Sequence, residues 1–437
     1  MQRRGGVTWR VLGVAVALGA LAAVPMHAAG FSIFEQGTKA MGMAGAFTAQ
    51  ADDPSALFYN AGGLAFVTQG DGSIGFTYIK GLKAELHGAD PFPGEGYTAK
   101  QKKLSEFPPH AYYVHPITST WKVGLGIETP FGLTTEWENP NQFAGRFLST
   151  KAALRAFDVN PTLGWQVTPN FGIGFGGIAR ISDVELRRNI PANNPFTQSI
   201  VDAASLRLKG DFKEGYGFNA GILYKATPDL SIGLSYRSKI TVDYTGDARL
   251  TPISTGNAQL DAAIAAALPL NTDLPVKTSI HFPDEASFGI AYSFTPNFLI
   301  EADANWTGWS SFKDVPIIFT GGATNSLPNV DLPQNWKDAN NYRLGLRWQA
   351  SPTSQWRLGY VYDETPQPEV VVNPLLPDSD RNGYCIGYGY TGTWKADFAL
   401  MYLPFKDRTR NHSAPGDGPF FGTYKTDALL LGVTLTF

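Results

Sequence analysis

Few side chains in this sequence have the types and spacing that catalysis or metal binding needs. The six histidines, His27, His87, His110, His115, His281 and His412, are scattered, and no two of them sit at ligand spacing on a helix. Neither GxSxG nor HExxH occurs. A lipase could in principle join a Ser and a His from distant positions, but no pair singles itself out. The run Asp378-Ser379-Asp380-Arg381-Asn382-Gly383 begins like a calcium loop. Its twelfth position is Gly389, where a bidentate Glu is required, so a loop-to-strand turn is the reading. The single cysteine, Cys385, allows neither an intramolecular disulfide nor a multi-cysteine metal site. We expect no enzyme, no metal and no cofactor.

The local chemistry that does stand out is conformational. Pro130 follows the alternating run Val123, Leu125, Ile127 and is trailed by Gly132, so this strand loses a ladder donor and gains backbone freedom at one point. Either the strand ends at Thr129, or it continues through a kink that leaves a gap in the sheet beside it.

The elements that must position such a kink follow from composition and period. Residues 1–28 carry Arg3, Arg4 and Arg10 ahead of an apolar run too short to span a bilayer, with small residues before position 29. They read as a secretory leader, whose removal takes three arginines and no acid from a chain already at a formal charge of -3. A nucleic-acid partner is therefore not expected. Residues 29–67 are small and apolar with few charges and neither helical nor strand period, and they need an enclosure to bury them. From residue 68 onward the period is two, as in Leu230/Ile232/Leu234/Tyr236, Tyr342/Leu344/Leu346/Trp348 and Leu429/Leu431/Val433/Leu435/Phe437. Only 17% of residues are charged, below the roughly 25% of soluble domains, and 13% are aromatic.

The connections decide between a soluble sandwich and a membrane barrel. Short turns such as Thr168-Pro169-Asn170, Thr227-Pro228-Asp229 and Thr295-Pro296-Asn297 alternate with long segments near 81–105, 131–152, 187–211, 246–280, 308–338, 364–381 and 404–425. Short turns on one side, long loops on the other, and a closing aromatic Phe437 are the habit of outer-membrane barrels. The expectation is an all-β fold: a fourteen-stranded antiparallel transmembrane β-barrel, residues 68–437, with an N-terminal plug or hatch, residues 29–67, and small helices on extracellular loops. One such helix is expected over 257–270, where Leu260, Ile264 and Leu268 recur at i, i+4 and i+8, and a second over 198–208.

With these residues in view, the chain resembles the FadL/TodX family of outer-membrane transporters for hydrophobic compounds. The resemblance rests on AGF at 29–31, MGMAGA at 41–46, ADDPSALFYNAGGLA at 51–65, TPFGL at 129–133, the long run 218–238, WKD at 336–338, YDETP at 362–366 and LPDSDR at 376–381. Asn60-Ala61-Gly62 departs from the family's Asn-Pro-Ala, which bears on the plug's local turn.

The resemblance implies passive uptake of hydrophobic molecules, long-chain fatty acids first and aromatic or aliphatic hydrocarbons as the alternative, across the outer membrane of a Gram-negative bacterium. It implies a lateral opening at Thr129, Pro130, Phe131 and Gly132, and a release step at Phe31 in the plug. It implies an apolar collecting surface at Leu260, Ile264 and Leu268, and a carboxylate clamp built from Lys337 and an Arg that falls on Leu186, with Arg187 and Arg188 next. Arg187 is the expected clamp residue, and Arg343 and Arg347 are expected to face the lumen. The expected surroundings are outer-membrane lipid and lipopolysaccharide, with Phe437 read by the barrel assembly machinery and the barrel acting as a monomer. A general porin or an adhesive barrel are the remaining readings.

Overall fold

A strand whose alternate residues are apolar closes into a membrane barrel when those residues point outward, and here they do. The computed structural model describes residues 30–320, 327–413 and 418–437, so the expected leader 1–28 lies outside the described residues. Fourteen antiparallel strands form the wall. They are β1 (Asp71–Gly88), β2 (Pro109–Pro116), β3 (Trp121–Glu136), β4 (Lys151–Thr168), β5 (Phe171–Asn194) and β6 (Ser199–Thr227). β7 runs as Leu230–Arg237 and Ile240–Pro252, and β8 as Asp273–Phe282 and Glu285–Thr295. Then come β9 (Phe298–Thr307), β10 (Ala339–Ser351), β11 (Ser354–Asp363), β12 (Arg381–Thr391), β13 (Lys395–Pro404) and β14 (Gly422–Thr436). Pairing of β1 with β14, from Ser73–Thr436 to Gly88–Gly422, closes the wall and leaves no free edge.

Outward residues such as Ile74, Leu125, Phe175 and Leu358 are exposed, as a lipid-facing belt requires. Near the short turns the belt is aromatic, with Trp121 stacked on Trp165 at 5.2 Å. These turns work as their composition implies: the Thr227 hydroxyl accepts from the Asp229 and Leu230 amides at 3.2 and 3.1 Å.

Residues 30–67 lie inside the barrel, built from short helical turns at Thr38–Met41, Ala56–Tyr59 and Ala61–Phe66. Ala40, Phe47, Leu57 and Leu64 have no exposed surface. This segment has no period because it is enclosed on all sides.

Two expectations fail above the membrane. Residues 187–211 are no loop, because β5 and β6 run 24 and 29 residues and continue as one hairpin well past the 9–11 that span a bilayer. The helix expected over 198–208 is part of β6. A register shift between Ile190 and Pro191 buries Ala203 and Ala204 together, and that break in alternation imitates helical spacing. The other helix is present as Ala258–Ala267, capped by the Asn257 side chain, which accepts from the Gln259 and Leu260 amides.

Candidate functional site

The wall is interrupted at β3. Its pairing with β2 stops at Ala111–Ile127 and resumes at Gln101–Trp137, so residues 128–135 have no backbone partner on the β2 side among the described residues. On the other side the register with β4 shifts between Glu128 and Phe131, across Pro130. The strand therefore continues through Thr129, and the kink is real. Backbone groups so exposed need partners, and the plug supplies them. The Ile33 amide donates to the Pro130 carbonyl at 2.7 Å and the Gly132 amide to the Phe31 carbonyl at 3.1 Å. The Gln36 side chain donates to the Thr129 carbonyl and accepts from the Thr129 amide, both at 2.8 Å.

A cavity of about 450 Å³ fills the gap, within the usual range of small-molecule pockets. Its inner wall includes Phe31, Phe131, Leu154 and Leu376, and its outer wall Leu82, Leu104 and Phe107. Its lining thus runs from the buried Phe31 and Phe131 to the exposed Leu82 and Phe107, with Lys100, Lys102 and Lys103 also contributing.

Phe31 lines the buried side of this cavity within a cage of rings. Its ring centroid lies 4.7 Å from Trp309, 5.4 Å from Phe312, 5.8 Å from Trp336, 5.9 Å from Phe131 and 6.2 Å from Phe282. Gly30 precedes it at φ +96°, and a Cβ there would stand 2.6 Å from the Trp309 ring. The Gly30 amide donates to Asp378 at 3.1 Å. Thr365 also donates its hydroxyl to Asp378, and burial pushes that carboxyl above the ordinary range. The run that began like a calcium loop is thus a turn leading into β12 that holds the start of the plug.

Lower in the lumen the plug is held by charge. Asp303 accepts from the Phe47 and Thr48 amides at 2.9 and 3.0 Å, and Glu301 from the Ala49 and Gln50 amides at 2.6 and 3.2 Å. Arg343 donates to the Ala44 carbonyl and Arg347 to Gln50 and Asp52. Asn60 donates to the carbonyls of Thr48 and Ile222 and accepts from the Gly62 amide at 2.9 Å. At Gly62 a Cβ would meet the Leu223 nitrogen at 2.6 Å, so the turn there needs glycine for close approach rather than for a positive φ. Beside the plug, Arg237 bridges Glu128 and Asp158 at 2.7 and 3.3 Å, and Arg180 pairs with Asp158 at 2.7 Å, all buried.

A family model described as outer membrane protein transport protein (OMPP1/FadL/TodX) matches residues 19–437. The chain belongs to this family. As a FadL/TodX protein it resides in the outer membrane and transports hydrophobic compounds. It is 25% identical over 426 residues to the long-chain fatty acid transport protein of Escherichia coli O6:H1, covering 92% of each chain. The crystal structure of a Pseudomonas aeruginosa FadL homologue superposes with a TM-score of 0.78 at 22% identity, covering 94% of this chain and 99% of that one. That of the Pseudomonas putida toluene transporter TodX gives 0.70 at 16%, covering 94% and 99%. These two share the fold.

The remaining expected site residues of this FadL/TodX protein do not assemble around the cavity. Lys337 is exposed, and its amide donates to the Pro366 carbonyl at 3.0 Å. Its neighbour Trp336 is the residue of that motif that reaches Phe31. Arg187 faces outward and pairs with Glu185 at 2.6 Å. Arg187 is turned away from the interior by the period of its strand, and Lys337 lies exposed in the segment between Pro333 and Ala339, so neither lines the cavity. Leu260 and Ile264 are buried against Ala203, with Leu268 beside them, so the helix packs on the neighbouring β5–β6 hairpin rather than offering an open surface. Arg343 and Arg347 face the lumen, where they grip the plug.

Two features escaped the sequence reading, and a third was named there but passed over. The aromatic cage of Phe282, Trp309, Phe312 and Trp336 comes from three separate segments and has no local signature. The network of Glu128, Asp158, Arg180 and Arg237 was visible in principle, as charges on the inward positions of alternating strands. Arg188 is the third. It shares a face of β5 with Leu186 and Ile190, and lies opposite Leu206 of β6; all three pack into an apolar cluster. It is half-buried and has no ion-pair partner among the described residues.

Proposed function

We propose that this protein takes up long-chain fatty acids, with Arg188 receiving the carboxylate. The observation that carries this is an arginine without a counter-ion, set among leucines and an isoleucine on the inward side of the hairpin. A guanidinium in that setting favours a ligand with one anionic group and a long apolar body. The fatty-acid transporter of Escherichia coli, at 25% identity, supports the same class. Substrate docks with its carboxylate at Arg188, and its tail descends toward the Phe31 cage. There it replaces the contacts Phe31 makes, Phe31 to Ile33 leave β3, and the chain exits through the cavity at Thr129 to Gly132. Apolar solutes prefer hydrocarbon to water, so a concentration gradient suffices to drive this path.

Uptake of aromatic hydrocarbons is the second reading, favoured by the cage of rings around Phe31. A binding titration of the detergent-purified barrel with oleate and with toluene, repeated on Arg188→Ala, separates the two. Loss of a charge-assisted bond of about 1.5–3 kcal/mol predicts oleate affinity roughly ten- to a hundredfold weaker, with toluene unchanged. Oleate binding indifferent to Arg188→Ala sinks the carboxylate role, and saturable toluene binding beside it makes this a hydrocarbon channel.

A further inference from the structure

We propose that the outer wall of β4 to β7 carries a binding site for the phosphorylated sugar headgroup of an outer-leaflet glycolipid. The site begins with register. Lys151 stands directly opposite Arg187, Arg187 opposite Arg207, and Arg207 opposite Arg249. Four cations therefore form one row across four neighbouring strands. Their side chains point away from the barrel, since Ala152, Leu206, Ala248 and Leu250 beside them are buried inside.

Like charges directly opposite one another across a strand pair are destabilising, and this row repeats that arrangement three times. The acids present answer it only in part. Glu185 alone serves three of the cations, at 2.6 Å from Arg187, 3.1 Å from Arg207 and 3.5 Å from Lys151. Arg249 pairs with Asp273 at 2.9 Å, and both side chains are about half exposed, at 46% and 57%. An anion with several acceptor oxygens would relieve what two carboxylates leave. Arginine forks suit phosphate, which accepts two parallel bonds from each.

Height selects the kind of phosphate. The lipid-facing apolar residues of β5 end at Ile181. Just above, Arg155 pairs with Asp183 and lies over the exposed Phe212 ring at 5.4 Å. Arg187 is six residues beyond Ile181, which at the rise and tilt of a barrel strand is about 15 Å further out. A phospholipid headgroup extends only about 5–8 Å from the hydrocarbon edge. The row therefore sits at the level of a taller headgroup, one that carries its phosphates on sugars.

The test uses the full-length barrel in detergent, titrated with bisphosphorylated lipid A and followed by native mass spectrometry. The comparison proteins are the triple variant R187Q/R207Q/R249Q and K395Q, a lysine at the opposite end of the barrel. At least tenfold weaker binding by the triple variant, unchanged binding by K395Q, and no better than residual binding of lipid A stripped of phosphate are expected. Free inorganic phosphate and phosphatidylglycerol in excess should not displace the lipid. Unchanged affinity in the triple variant, equal binding of the dephosphorylated lipid, or equal competition by phosphatidylglycerol overturns the proposal. Heat-modifiable gel mobility and uptake activity report whether the variant is folded, and R249Q alone, expected to weaken binding about threefold, serves if it is not.

Discussion

The two ends of the plug are held by different forces. Around residues 44–62 the plug's backbone meets polar side chains of the wall: Asp303, Glu301 and Arg343 each bond to it directly, and the plug's own Asn60 donates to the Ile222 carbonyl of the wall. At residues 30–33 the attachment is a set of ring contacts, the bond from Gly30 to Asp378, and two backbone bonds to β3. The contrast decides which end can move. Withdrawing the lower segment would strand buried carboxylates, each a cost of several kcal/mol. Withdrawing Phe31 gives up dispersion and apolar burial, which an incoming hydrocarbon chain restores in kind.

The sharpest way to break this comparison is at the charged end. Arg237→Ala leaves Glu128 and Asp158 buried with only Arg180 to answer them, and should cost about 3–5 kcal/mol in urea unfolding of the micelle-bound barrel. A loss below about 1 kcal/mol would show that the buried charges beside the plug do not stabilise the lower barrel. At the apolar end, Phe31→Ala should act locally. Removing the ring lowers the opening free energy of residues 30–34 by about 3 kcal/mol, so the amides of Ile33 and Gly132 exchange with solvent about a hundredfold faster. Amides of Phe47 to Gln50 should keep their wild-type rates; if they accelerate equally, the two ends are one cooperative unit and the contrast fails.

The smallest effect lies outside both ends, on the loop helix. Hydrogen bonds from Thr255 and Ser254 hold the exposed Asp261 carboxyl below its ordinary value. A depressed carboxylate adds stability above the unfolded value of about 3.9, and that stability is lost as pH falls through the lower folded value. Proteolytic nicking near 254–268 should therefore rise only in that acidic range, and Asp261→Asn should show the low-pH rate at neutral pH. A nicking rate flat with pH in the wild type would remove Asp261 from the cap.

How much was legible depended on whether the signal was local. Period two announced the strands, the Thr-containing turns announced their ends, and Pro130 with Gly132 marked the kink within one strand. The hairpin from 187 to 211 was misread because a bulge at Ile190–Pro191 shifts the alternation, and the resulting Ile200, Val201, Ala204, Leu208 spacing imitates a helix. Arg187 was chosen over Arg188 for the same kind of reason: a choice of one residue in a strand is a choice of face, and no spacing fixes it without the partner strands. Lys337 was carried by a motif whose neighbour Trp336 turned out to reach the interior.

By itself the sequence determined the class of fold, its strand count, the segment that needed enclosing and the strand that breaks the wall, because each follows from the period, polarity or backbone limits of neighbouring residues. Only the tertiary structure decided which side chains meet. Phe31 finds Trp309, Phe312 and Trp336. Asp303 and Glu301 reach amides some 250 residues earlier in the chain. Lys151, Arg187, Arg207 and Arg249 form one row. Such contacts depend on barrel closure and register, which set long-range neighbours through backbone pairing that leaves no trace in any short stretch of sequence.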